Sequence, residues 1–298
     1  MAPKAEVGVF GGSGLYSLLD EVERVEIETP YGPPSAPLAI GEVGGRRVAF
    51  LPRHGEHHEL PPHQIPYRAN VWAMREVGVR RLIGPCASGA LRVDLELGAF
   101  VVCDQFVDRT SGRADTFYDG PETTHVSAAD PYCPELGRLL VEVARGLDLP
   151  VVDGGTVVTI QGPRFSTRAE SRWFQSQGWD VVNMTAYPEG HLARELELCY
   201  ANISLVTDQD VAVEGAEPVS SDRVLEMFHR NTERLRELLF AVIPRIGPQP
   251  AARGASLRDR ASRCQGLKAR RSRPPDGGRG GFRARRCSPS PGGEPPPR

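Results

Sequence analysis

Short apolar runs rich in β-branched residues recur at Val7 to Phe10, Arg47 to Leu51, Arg80 to Gly84, Phe100 to Cys103, Val157 to Ile160 and Ala201 to Val206, each bounded by Gly, Pro or charge. Runs of that length and make-up predict buried strands. Apolar positions recur at helical spacing over Pro66 to Val77, Pro134 to Leu147, Arg168 to Gln177, Glu189 to Glu197 and Ser221 to Ile243. The last stretch opens on Ser221-Asp222 and sets Val224, Met227, Phe228, Leu235 and Leu239 along one stripe, as an amphipathic surface helix requires. Strands interleaved with helices predict an α/β fold around a central sheet.

From Pro248 the periodicity stops, and the chain runs on in Arg, Gly, Pro and Ser with almost nothing apolar to bury. Residues 1–247 are therefore expected to form one domain, and 248–298 a disordered basic tail that cannot offset its ordering entropy. Charge follows the same division. The 48 residues from Ala251 hold 13 Lys or Arg and 3 acids, and the 250 before them hold 23 and 35, so the segments stand near +10 and −12 within a total of −2. A body that acidic gives no electrostatic reason to expect nucleic acid as a partner. The RGG-like texture of the tail fits an RNA-binding segment and fits an extension without a role, and no role is assigned to it. The six cysteines form no CxxC pair and no regular spacing, which predicts mostly reduced, buried thiols and no disulfide framework. The first residues lack the apolar core of a secretory signal, and no run approaches the roughly 20 apolar residues that span a bilayer, so the expected location is the cytoplasm, with no membrane partner.

Five segments carry candidate chemistry. Gly11-Gly12-Ser13-Gly14 follows the first strand, where a glycine turn presents backbone N–H groups and a hydroxyl to an anion; a structural turn reads the same way. It lacks the third glycine of a dinucleotide fingerprint and the Lys of a P-loop. Arg53-His54 follows the second strand, at the sheet end where ligands of α/β proteins gather. A guanidinium fork beside an imidazole suits phosphate. His57, His58 and His63 lie close by and bring a metal site into question, but no acidic or Cys partner has ligand spacing, so the anion reading is preferred and no metal is expected. Gly84 to Gly89 is a small-residue run in which backbone approaches a ligand closely or packs a tight turn. Asn183-Met184-Thr185 ends the apolar Asp180 to Val182, and its polar groups need partners that a ribose or phosphate would supply. In Thr207-Asp208-Gln209-Asp210, extended backbone would point both carboxylates one way, toward a shared ligand, while a solvated acidic turn is the plainer account.

These segments, in this order, resemble the methylthioadenosine phosphorylase branch of the purine nucleoside phosphorylases. The resemblance runs from Val7 to about Gly247 and is most specific in GVFGGSGLY, TPYGPPSAP, PRHGEHH, DQFVDRTSGRADTFYDG, IQGPRFSTRAES, NMTAYPE and VTDQD. It implies a three-layer α/β/α fold with a mixed central sheet. It also implies reversible phosphorolysis of a purine nucleoside in a homotrimer, with phosphate as a substrate and no cofactor. By the same resemblance, Ser13, Arg53, His54, Cys86, Ala87 and Thr185 would hold phosphate, with Cys86 where relatives often carry Thr. Met184 would pack under the ribose and Phe165 against the purine. Asp208 and Asp210 would be the catalytic pair at the N7 and 6-amino edge, flanking Gln209. His125 would reach a neighbouring subunit's 5′ pocket, Val224 would line that pocket, and Ser166 and Ser221 would tune specificity. A 6-amino group donates and wants a carboxylate, whereas a 6-oxo group wants a donor, so TDQD favours adenine.

Overall fold

The structure, a computed structural model, describes residues 5–11, 22–121, 123–210 and 220–247, without the side chains of 221–225 and 228–230. Ser13, the side chains of Ser221 and Val224, and the segment 248–298 lie outside the described residues. Strands β1 (Val7–Gly11), β2 (Glu23–Val25), β3 (Leu38–Val43), β4 (Arg46–Pro52), β5 (Arg81–Ala90), β6 (Phe100–Cys103), β7 (Gln105–Arg109), β8 (Val151–Asp153), β9 (Thr156–Ile160), β10 (Val181–Asn183) and β11 (Cys199–Gln209) form one mixed sheet. Helices α1 (Tyr67–Glu76), α2 (Pro134–Gly146), α3 (Arg168–Ser176), α4 (Ala186–Glu195) and α5 (Ser221–Val242) flank it.

Two apolar cores, one on each face, make the layers. Leu82 of β5 packs with Val71 and Met74 of α1 and Leu192 and Ala193 of α4. Its neighbour Ile83 points to the opposite face and packs with Leu140 of α2 and Leu235, Leu239 and Val242 of α5. That alternation is the period of two of a strand with both faces covered, and it produces the three-layer α/β/α fold. The boundary of α3 follows from its capping box, in which the Thr167 hydroxyl accepts from the Glu170 N–H while the Glu170 carboxylate accepts from the Thr167 N–H.

β5 forks the sheet. Along one side it runs parallel to β11 for its whole length. On the other it pairs with β1 only at Arg81 to Ile83 and with β10 only at Gly89 and Ala90. Among the described residues no strand pairs with 84–88 on that side, so the small-residue run borders an opening between the ends of β1 and β10. A bulge in β11 inserts Thr207 between the pairs Val206–Ser88 and Asp208–Gly89, re-aiming the last residues of that strand beside the opening.

The cysteine expectation needs correction. Cys133, at the start of α2, and Cys199, at the start of β11, are joined by a disulfide, while Cys86 and Cys103 are free and buried. The bridging pair is 66 residues apart and meets only because α2 packs back on the strand, which no local spacing reveals. No described helix is long and apolar enough to cross a membrane.

Candidate active site

The fork opens into a cavity of about 460 Å³. Arg53 and His54 enter it from the end of β4, Cys86 to Gly89 from β5, Asn183 to Thr185 from the end of β10, and Asp208 and Asp210 from β11. Pro163, Phe165 and Ser166, on the loop before α3, close one wall. Four of the five segments singled out in the sequence thus meet at one place, and the part of the fifth that holds Ser13 lies outside the described residues.

At one end the charges are already paired. The Arg53 side chain is 3% exposed and is gripped side-on by Glu189 of α4, Nε to Oε2 at 2.8 Å and Nη2 to Oε1 at 2.7 Å, while Nη1 donates to the Pro85 carbonyl at 2.7 Å. Three of five guanidinium N–H groups are therefore spent, which leaves two for a ligand. The Tyr200 hydroxyl donates to Glu189 Oε1 at 2.8 Å, and burial pushes that phenol's pKa well up, keeping it a donor. Burial works to lower the Arg53 pKa, but the charge and hydrogen bonds of Glu189 outweigh it, and the net shift is upward. This trio needs a glycine at 84: a Cβ there would come within 2.0 Å of the Tyr200 oxygen and 2.7 Å of Glu189 Oε1.

His54 closes its own loop. Its backbone carbonyl accepts from the Leu60 N–H and its ring Nδ1 bonds the Leu60 carbonyl, both at 2.9 Å. Burial, then Arg53 and His58, pull the imidazole down to about 4 against the opposing pull of the Leu60 bond, so it is neutral at pH 7. The Cys86 sulfur accepts from the Asn183 amide at 3.0 Å and the Asn202 amide at 3.3 Å, which fixes the thiol behind the cavity wall. The Thr185 hydroxyl makes no cap bond to α4 among the described residues and lines the cavity.

At the other end, two carboxylates line the cavity, each beside a hydroxyl donor. Asp208 accepts from the Thr207 hydroxyl at 2.8 Å, and Asp210, buried, from Ser166 at 3.2 Å, the latter held in turn by Ser171 at 2.9 Å. Burial raises the Asp208 pKa and Asp210 adds to it, with the Thr207 bond opposing. Gly89 makes room, since a Cβ there would stand 2.9 Å from Asp208 Oδ2. The cavity thus joins the two unspent Arg53 N–H groups at one end to a pair of acids at the other, beside a wall that holds Phe165.

The comparisons with known proteins agree with that geometry. A family model described as the phosphorylase superfamily matches residues 6–244. The chain belongs to the phosphorylase superfamily. It is 54% identical over 265 residues to a purine nucleoside phosphorylase of Streptomyces coelicolor, covering 85% of this chain and 95% of that one. It is 55% identical over 244 residues to an S-methyl-5′-thioadenosine phosphorylase of Mycobacterium tuberculosis, covering 82% and 90%. The solved structure of the Schistosoma mansoni methylthioadenosine phosphorylase in complex with adenine superposes with a TM-score of 0.79 at 36% identity, covering 91% of this chain and 99% of that one.

Arg53, His54, Cys86, Ala87, Phe165, Ser166, Met184, Thr185, Asp208 and Asp210 all line the cavity. Gln209 does not join them. It alternates to the other face of the extended strand and donates to the Leu95 carbonyl at 2.6 Å, so its place among the substrate contacts is corrected. His125 is exposed and away from this cavity within the single chain. Among the described residues no group of three or more His, Cys, Asp or Glu stands ready to hold a metal ion. Sequence reasoning missed Tyr200 and Asn202 and gave Glu189 no partner. Glu189 carried a signal, because it falls on the same helical face as the buried Leu192 and Ala193, where an unpaired acid would be costly.

Proposed function

We propose that this chain catalyses the reversible phosphorolysis of S-methyl-5′-thioadenosine to adenine and 5-methylthioribose 1-phosphate. The observation that carries this reading is the pairing, in one cavity, of an N–H-rich oxyanion corner at Arg53 with two carboxylates at Asp208 and Asp210. A departing purine leaves positive charge on the sugar and gathers negative charge on the base. Phosphate held by Arg53, His54, the Cys86–Ala87 backbone, Thr185 and Ser13 supplies both the nucleophile at C1′ and a nearby negative charge. No enzyme nucleophile and no cofactor is needed. Asp208, its pKa raised by burial, gives its proton toward N7 as the base leaves, while Asp210 accepts from the 6-amino group. Met184 supports the ribose, and Phe165 lies against the purine with Ser166 at its edge.

The setting this reading carries is a cytoplasmic homotrimer in which the exposed His125 completes a neighbouring 5′ pocket, and Val224 and Ser221 line the pocket in their own chain. A second reading, cleavage of 6-oxopurine nucleosides such as inosine, draws support from the Streptomyces relative's name and from Asp208, which when protonated donates to a 6-oxo oxygen.

Chromatography of free base released from methylthioadenosine, adenosine and inosine, with and without phosphate, tests both. Phosphate-dependent adenine release, fastest from methylthioadenosine, is expected. Faster hypoxanthine release from inosine would replace the first reading by the second, and no release from any of the three would end both.

A further inference from the structure

His54 and Arg53 give the oxyanion corner an unusual electrical character. The Arg53 charge is matched by the Glu189 carboxylate at 2.7 Å, so the buried pair is close to neutral as a unit. The His54 ring bonds the Leu60 carbonyl through Nδ1. A carbonyl only accepts, so Nδ1 carries the ring proton, and the neutral ring presents a lone pair, not an N–H, at Nε2. His54 is walled by the cation of Arg53 and by the ring of His58, stacked on it with centroids 4.6 Å apart, and Glu59 lines the same mouth. Asp208 and Asp210 stand at the far end of the cavity. Burial and the neighbouring Arg53 guanidinium disfavour a proton on Nε2, so the ring enters the complex as an acceptor.

We propose that His54 receives the oxyanion through an O–H of the anion itself, so that this corner takes phosphate or arsenate and turns away fully deprotonated sulfate. Phosphate and arsenate keep at least one O–H at neutral pH and can satisfy Nε2, while their remaining oxygens accept from Arg53. Sulfate has none, and its oxygens would meet a lone pair unless the ring first took up a proton. The inference rests on the phosphorolysis reading for the identity of the ligand, and on the Leu60 bond for the tautomer. It makes His54 a specificity determinant that counts protons, where size and charge alone would barely separate the two anions.

Calorimetric titration of the full chain with inorganic phosphate and with sulfate, between pH 5.5 and 8 at constant ionic strength, reads the effect directly. At pH 7 sulfate should bind on the order of thirtyfold more weakly than phosphate, the usual scale for a buried polar mismatch. Because sulfate needs a protonated ring, its affinity should climb about tenfold per pH unit on acidification, with uptake of about one proton per ion read from the buffer dependence of the heat. The phosphate affinity should change far less. In His54→Gln, whose amide can turn a donor to either anion, the preference should shrink to within about threefold and the sulfate slope should vanish. Sulfate binding as tight as phosphate at pH 8, no proton uptake, or a slope that survives in His54→Gln would each overturn the proposal. Phosphate-dependent base release, assayed on the same preparations, separates the two levels. Release without anion discrimination overturns this inference alone, and absence of both release and phosphate binding overturns the reading beneath it.

Discussion

The two ends of the cavity solve opposite problems with the same kind of residue. At the oxyanion end a charged group, Arg53, is committed in advance: Glu189 takes two of its donors and the Pro85 carbonyl a third, and the guanidinium is nearly free of solvent. At the base end each carboxylate accepts from a neighbouring hydroxyl, Asp208 from Thr207 and Asp210 from Ser166. A committed cation is rigid and changes little on binding. Asp208, buried and beside the charge of Asp210, has its pKa pushed up and is ready to exchange a proton. On the proposed phosphorolysis, the Arg53 end serves position and the Asp208 end proton transfer.

Removing the pre-committed partner should have the largest effect. Glu189→Ala strands a buried guanidinium, and a loss of about 3 to 5 kcal/mol is expected in urea or thermal unfolding. In Glu189→Gln, which keeps the shape, the KM for phosphate should rise much more than that for the nucleoside. Equal rises in both would mean that the pair only supports the fold and that the contrast between the two ends is mistaken.

Next in size is the loss of the proton at the base end. Asp208→Asn should lower kcat by about a hundredfold, the scale of general acid catalysis. Because the Asp208 pKa is raised, the acid form persists above the ordinary carboxylate range and is lost as pH climbs through that raised value. kcat/KM for methylthioadenosine should therefore fall on the alkaline side in the parent chain, and the limb should be missing from Asp208→Asn. A full rate in the variant would remove the acid role.

The smallest change sharpens the picture. Ser166→Ala deletes one hydroxyl bond to Asp210 at 3.2 Å, of the order of 1 kcal/mol, so adenine-nucleoside kcat/KM should drop about fivefold with no change in phosphate KM. A change in phosphate KM instead would show that the ends are coupled.

The strands visible in the sequence are those buried on both faces, such as β1, β4 and β11, whose continuous apolar runs need no context to be read. Those that escaped are β2 and β7, whose residues are mostly polar and exposed, β8, which is three residues long, and β3, which follows a Pro-rich stretch. Edge strands take their pairing from a neighbour and leave little apolar trace in sequence. The site was legible to the extent that its residues sit at or just past strand ends, as Arg53 and Asp208 do, or inside a run of small residues, as Cys86 does. Gln209 was misjudged because adjacency in sequence cannot say which of two successive strand residues faces the ligand.

Sequence by itself determined the alternation of strands and helices, the end of the periodic chain near Gly247, and the residue types able to meet a phosphate and a 6-aminopurine. These are local properties: periodicity, turn chemistry and the hydrogen-bonding capacity of single side chains. Tertiary structure alone decided that β5 changes partner from β1 to β10 and so leaves an opening, that Cys133 meets Cys199, and that Glu189 grips Arg53 across 136 positions. Each of these depends on which distant segments come within about 3 Å or a few ångströms of one another, a matter of packing that no window along the chain contains.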